Sequence, residues 1–408
     1  MTDSGESSAD VKQSGGDKLV ASEAAERVGV SISTLRRWVS LGLFPKDDTS
    51  NGWGPSAIAQ ARALAKLRNR GYSIEQLQEA IDEGRLVGYT DELVSEMVGE
   101  RFTLKEAAKE SGLKAEVIEE LIAAIGLPSG AVDDLGVEDV EMFRHFATAV
   151  DSGFPRDALL QTVRVYGQSV SKIADAEVRL VHLHVHEPLL RDGVSSEQIA
   201  EEMDGITDQL LPLFSPVIDH LHRRFLNHFV EQDIVGHMES EPGGGSIGQV
   251  RVTIAFADLA GYTQLTEEVG DEEAAGIVER FVANVNQTLP DQARILKTIG
   301  DEVMIVSSDL ASLTDWAVGF QILNNERPLP RIGIHSGNVV FRDGDYFGRE
   351  VNLAARVAAR AAAGEVLVTW PVVEMAGKHL EFERIGEVQL KGFSHATELF
   401  LAGLAGES

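Results

Sequence analysis

The sequence predicts two architectures in series, an all-α region reaching to about residue 240 and an α+β domain over residues 249–404. Three observations predict this. Apolar residues recur at helical spacing through the first part, as in Val217, Leu221, Phe225 and Phe229. The run Glu241-Pro242-Gly243-Gly244-Gly245-Ser246-Ile247-Gly248 can extend neither a helix nor a strand and reads as a linker. Beyond it, short strand-like runs alternate with an amphipathic helix. At 408 residues and 43% hydrophobic content, the chain can bury two or three separate cores.

Taken in order, residues 1–17 are rich in Ser, Gly and Asp and read as a disordered tail. Residues 18–85 form a first helical module. Ala24, Ala25 and Val28, then Leu35, Trp38 and Val39, fall on helix faces, and Gly29 and the Gly42/Pro45 pair break them. Residues 86–240 form a second helical domain that repeats the first. Glu23-Ala24-Ala25 with Gly29 and Pro45 recurs as Glu106-Ala107-Ala108 with Gly112 and Pro128, and Gly71-Tyr72 as Gly153-Phe154. The copies differ in charge: Arg36 and Arg37 become Glu119 and Glu120, which a phosphate backbone would repel. Residues 170–240 read as further helix, with a long amphipathic stretch from Pro216 to Met238. After the linker, Gln249 to Phe256 reads as a strand, 272–288 as a helix, and Ile295 to Ser307 as two strands around Gly300-Asp301.

Composition removes several function classes. The chain has no cysteine, so disulfides, thiolate metal sites and cysteine nucleophiles are absent. A net charge of -29 argues against wrapping on nucleic acid or an anionic membrane. No apolar run of membrane-spanning length and no signal peptide is visible, which predicts a cytoplasmic protein without membrane contact. Residues 18–70 are the local exception, with nine basic residues against four acidic ones.

The chemistry concentrates in the last 160 or so residues. The strand Val252-Thr253-Ile254-Ala255-Phe256-Ala257 runs into Asp258 and Leu259, then into Gly261-Tyr262-Thr263 at a helix start. Backbone N–H groups there form a natural cradle for phosphate oxygens. Taken alone, an Asp at a strand end is also ordinary surface chemistry. Leu296-Lys297-Thr298-Ile299-Gly300-Asp301 places a second carboxylate at a Gly-Asp turn, itself common in hairpins. Two such Asp residues on adjacent strands can hold divalent cations through oxygen. Asp345-Tyr346-Phe347-Gly348 leads into a helix where Asn352 and Arg356, four apart, share one face.

These elements, in this order and spacing, resemble the catalytic domain of the class III nucleotide cyclases from about Val250 to Ala402. The resemblance implies an α+β domain with a ferredoxin-like core and an adenylate cyclase activity, ATP to cyclic AMP and pyrophosphate. It implies that Asp258, Asp301 and the Leu259 carbonyl bind two Mg2+ or Mn2+ ions. Lys297 and Asp345 would contact adenine, Asn352 would orient the ribose, and Arg356 would stabilise the α-phosphate. Arg331 and Lys391 match positions that meet the terminal phosphates. Because that site forms between two catalytic domains and this chain has one, the resemblance also implies a homodimer.

Adenine presents an N6 donor and ring-nitrogen acceptors, so an Asp acceptor with a Lys donor complements ATP. Guanine would want roughly the reverse.

Ser33-Thr34-Leu35-Arg36-Arg37-Trp38 with Gly42-Leu43-Phe44-Pro45 resembles the helix-turn-helix of the MerR family, which implies DNA as a partner of residues 18–70. The segment Ser50-Asn51-Gly52-Trp53-Gly54-Pro55 lacks the Arg and Tyr pair of that family's wing, so a small helical bundle with Trp38 in its core is an equal expectation. Residues 86–240 resemble the pH-responsive autoinhibitory region of some actinobacterial cyclases. A His182-His184-His186 run looks like a metal site. On a helix, however, only His182 and His186 share a face and no carboxylate at firm spacing completes the set, which favours proton sensing near neutrality. The competing function is a transcription regulator using the cyclase fold as a nucleotide-sensing dimeriser.

Overall fold

The computed structural model of the chain describes residues 18–44, 52–86, 101–127, 132, 135–239, 249–324 and 327–406. The tail 1–17, the linker 241–248, Pro45, Pro128 and the start of the wing segment lie outside the described residues. By packing the chain divides into two units, Met1–Arg224 and Phe225–Ser408. None of the described helices is long and apolar enough to cross a membrane.

The first unit opens with helices α1 (Ala21–Val28), α2 (Ile32–Ser40), α3 (Pro55–Asn69) and α4 (Ile74–Asp82). Local chemistry sets their ends. Gly29 stops α1 at φ 75°, Ser31 accepts from Thr34 N at 3.0 Å to start α2, and Ser73 with Gln76 forms a capping box on α4. Leu35, Trp38, Leu43 and Ile58 are buried in one core, and Phe44 packs edge-on to Trp53 at 5.1 Å. Trp38 is therefore core, while Arg36 and Arg37 are exposed on α2.

The duplication read from sequence is built into the fold. Helices α5 (Leu104–Ser111), α6 (Ala115–Ile125), α7 (Val137–Asp151) and α8 (Arg156–Val181) repeat the order, with Gly112 also at φ 75°. The bridge Leu19–Trp53 in the first copy has its counterpart in Phe102–Leu135. After α8 the structure adds detail to the further helix read from residue 170: a π-helical turn spans His182–His186, followed by α9 (Glu187–Arg191) and α10 (Ser196–Glu239). Helix α10 also starts well before Pro216 and carries Pro212 and Pro216 within it, because neighbouring turns can absorb the lost backbone bonds.

In the second unit the elements are β1 (Gln249–Leu259), α11 (Tyr262–Val269), α12 (Asp271–Thr288), β2 (Ala293–Ile299), β3 (Glu302–Ser307), α13 (Leu310–Leu323), β4 (Pro330–Arg342), β5 (Asp345–Phe347), α14 (Arg349–Arg360), β6 (Val366–Thr369), α15 (Trp370–Val373), β7 (Leu380–Val388) and β8 (Thr397–Leu404). The sheet order is β2-β3-β1-β4-β6-β8-β7, with β5 paired to β4. The β4–β6 pair is parallel and the other pairs are antiparallel. Strand β1 lies between β3 and β4 and is apolar on both faces, as a central strand must be. Ala255, Ala257 and Leu259 join the core under α12 and α13, whereas Val252, Ile254 and Phe256 join the core under α14. Alternation then puts Asp258 on the α14 face of the sheet.

Candidate active site

Strand register assembles the first group. Asp258 stands directly opposite Glu302 on β3 and Arg331 on β4, and opposed residues point to the same face. One row of the sheet thus carries two carboxylates and a guanidinium. Arg331 Nε donates to Asp258 Oδ2 at 2.8 Å, and its Nη2 contacts the same oxygen. Asp258 is paired on both sides within β1, so the strand runs past the Phe256 end expected from sequence and includes the carboxylate.

Asp301 follows Gly300, whose φ of 63° makes the β2–β3 turn tight enough to bring the second carboxyl to Asp258. Burial, then a hydrogen bond shared with Asp258 and the charge of Asp258, push the Asp301 carboxyl up to about 6. Glu302 is also raised, first by burial and then by the two aspartates, with Arg331 and Arg356 opposing. This is the electrostatics of a site short of positive charge: the paired acids stabilise a dication well and each other poorly.

Past Leu259, which is buried, the chain turns at Gly261 (φ 83°) into α11. Tyr262 packs against the core and Thr263 is exposed, so first-turn amides of α11 follow directly on the Asp258 strand.

A second group lies across β2 and β5, where Lys297 pairs with Asp345 Oδ2 and Tyr346 N donates to Asp345 Oδ1 at 2.8 Å. The structure thus brings together the two residues that the sequence reading expects at adenine.

Asn352 and Arg356 are both exposed on α14, on the side away from Leu353, Ala354, Val357 and Ala358. Gly333 fixes the height of that helix, since a Cβ there would lie 2.0 Å from Ala358 N. Lys391 is exposed in the loop between β7 and β8, beside buried Leu390, while Phe393 lies under the Arg349 guanidinium at 5.1 Å. Among the described residues no hydrogen bond or ion pair joins Asn352, Arg356 or Lys391 to the Asp258 or Lys297 groups. One chain therefore presents two assembled groups, with Asn352, Arg356 and Lys391 bonded to neither, although the Arg356 charge is felt at Glu302.

Sequence reading missed Glu302 and the His335–Glu350 pair. His335 is buried, with Nδ1 2.7 Å from Thr369 Oγ1 and Nε2 2.6 Å from Glu350 Oε2, tying β4 to β6 and α14. Burial holds its pKa below the usual imidazole range despite Glu350. The one available signal was the position of His335 on the same strand face as Arg331 and Gly333.

Three family profiles match the chain. The "Adenylate and Guanylate cyclase catalytic domain" covers residues 248–403, the "Adenylate cyclase regulatory domain" residues 46–230, and the "MerR family regulatory protein" residues 21–53. The pH-sensitive adenylate cyclase MT1302 of Mycobacterium tuberculosis (strain CDC 1551 / Oshkosh) is 31% identical over 366 residues, 87% of this chain and 90% of that protein. An adenylate cyclase of Streptomyces coelicolor is 28% identical over 274 residues, 66% of this chain and 70% of that protein. The crystal structure of the adenylyl cyclase CyaB from P. aeruginosa aligns with a TM-score of 0.34 at 21% identity, over 39% of this chain and 96% of that one. The catalytic-domain profile and the two curated relatives favour the enzyme over the transcription-regulator reading.

Proposed function

The chain belongs to the class III adenylate cyclase family and is an enzyme of that type, and we propose that it forms 3',5'-cyclic AMP and pyrophosphate from ATP at a site shared by two copies. The observation that carries this reading is the Asp258–Asp301 pair beside Arg331, with Asp301 pushed up to about 6. Members of the family use divalent metal ions. The donor set here fits them, since the two carboxylates and the Leu259 carbonyl are hard oxygen ligands and the paired charge is relieved by a cation. Asp258, Asp301 and the Leu259 carbonyl would hold two ions, Mg2+ or Mn2+, which when bound supply Lewis-acid activation of the ribose hydroxyl and charge neutralisation at the phosphates.

The chain's own groups do the rest. Amides of the Gly261-Tyr262-Thr263 turn receive phosphate oxygens. Arg331 exchanges Asp258 for the terminal phosphates, which Lys391 also meets. Asp345 accepts from adenine N6 and Lys297 donates to a ring nitrogen. Asn352 orients the ribose, and the Arg356 fork meets charge growing on the α-phosphoryl oxygens, a contribution of order 10² to 10³ in rate.

Exposed Ile299 and Phe347, next to the two assembled groups, support burial of this face by a second copy. The helical region 18–240 sets the rate in this reading, supported by the regulatory-domain match and the pH-sensitive relative. Local DNA contact through residues 18–70 is a second reading, favoured by Arg36 and Arg37 exposed on α2; a mobility shift abolished by R36E/R37E would test it.

The experiment that tests the main reading incubates the purified full chain with ATP and Mn2+ and separates the products. Equimolar cyclic AMP and pyrophosphate are expected. ADP or no product would overturn it.

A further inference from the structure

Two imidazoles of the π-helical turn meet through their ring nitrogens. His186 is buried, and its Nε2 lies 2.8 Å from the Gly84 carbonyl oxygen. A carbonyl only accepts, so Nε2 carries the proton and Nδ1 keeps a lone pair. That Nδ1 faces Nδ1 of His182 at 3.3 Å. On the far side of the second ring, His182 Nε2 lies 3.4 Å from Glu187 Oε1, and a carboxylate also only accepts. The His182 ring can place its one proton on Nδ1, donating to His186, or on Nε2, facing the carboxylate, and the second tautomer leaves two lone pairs converging on one point. In that second arrangement a cation between the rings takes the place of the bridging proton.

We propose that the His182–His186 pair is a binding site for a zinc-class transition-metal ion. Two Zn–N bonds of about 2.0–2.1 Å at a tetrahedral angle place their nitrogens roughly 3.3 Å apart, which is the separation found here. The outer nitrogens have the partners that metal-bound imidazoles use, a backbone carbonyl for His186 and a carboxylate for His182. Glu187 lies behind the His182 ring and does not complete a third protein ligand. A π-helical turn is uncommon and tends to occur where side chains must be re-aimed for a function.

Imidazole nitrogen selects zinc-class ions over Mg2+ and Ca2+, which separates this site chemically from the Asp258–Asp301 oxygens. No group of three or more His, Asp or Glu side chains among the described residues is placed to hold an ion. Water therefore completes the shell, and half-exposed His182 and Glu187 leave room for it. Such a site exchanges its ion. Its occupancy stiffens a joint, because Gly84 follows α4 and sits so close to α10 that a Cβ there would lie 2.7 Å from Ile199 Cδ1.

The test is calorimetric titration of tag-free full chain, stripped with chelator, with Zn2+ in millimolar Mg2+. Loss of one equivalent per chain in His182→Gln, with His184→Gln unchanged from wild type, is the expected result. His182 is half-exposed, so its replacement leaves the fold intact, and zinc held at the carboxylates would be common to all three proteins. Equal uptake by wild type and His182→Gln, or no uptake by wild type, overturns the proposal irrespective of whether the chain makes cyclic AMP.

Discussion

Asp258 on β1 and Arg331 on β4 are direct partners across the two strands, and Arg331 Nε donates to Asp258 Oδ2 at 2.8 Å. The guanidinium offsets the carboxylate charge, and in the proposed reaction it would meet phosphate on the same face. Arg331→Ala should lower the melting temperature of the metal-free protein, since a hydrogen bond to a charged group contributes about 1.5–3 kcal/mol. With Mn2+ present the loss should shrink and the KM for ATP should rise. Equal melting temperatures of variant and wild type without metal would contradict this role.

Asp301 gives a pH prediction with a definite sign. Its folded pKa is raised to about 6, above the ordinary carboxylate value near 4, so the folded state binds the proton more tightly than the unfolded chain. The associated stability is present at low pH and is lost as pH rises through about 6. Asp301→Asn should therefore melt above wild type at pH 8 without metal, and the gap should close toward pH 5. A gap independent of pH would remove the carboxylate pair as its cause.

The Lys297–Asp345 pair predicts base selectivity. Reversing the donor and acceptor with Lys297→Glu and Asp345→Cys together should cut kcat/KM for ATP and raise that for GTP, whereas either change alone leaves a charged partner unpaired. Competition assays with both nucleotides decide it, and an unaltered ATP preference would exclude both residues from base reading.

Gly333 carries the position of α14. Gly333→Ala places a methyl 2.0 Å from Ala358 N, and backbone cannot yield as a side chain can. Displacing Asn352 and Arg356 by about 1 Å should reduce turnover roughly 10²-fold with little change in KM. Turnover at the wild-type level would show that helix height is not what positions these residues.

Much of this was legible because local rules act on short segments. The Glu-Ala-Ala and Gly29/Gly112 pattern reports a helix and its left-handed stop, and it found the duplication that the Leu19–Trp53 and Phe102–Leu135 bridges repeat. Gly300-Asp301 reports a tight turn in the same way. What escaped is non-local or depends on register. His335 meets Glu350 and Thr369 only after β4, α14 and β6 are packed. Glu302 joins the site because β3 pairs with Asp258 one residue after the turn. The π-helical turn was invisible because apolar spacing cannot distinguish its wider winding from an α-helix over five residues.

Cyclic AMP formation in mixtures of Asp258→Ala and Arg356→Ala chains tests the central claim most directly. Each variant alone should be folded and inactive, because each lacks charge aimed at the reacting phosphates. On mixing in equal amounts, activity should return to roughly a quarter of wild type, since half of the two-fold dimers are mixed and each of those has one intact site. No recovery despite demonstrated subunit exchange would contradict a site shared between two chains.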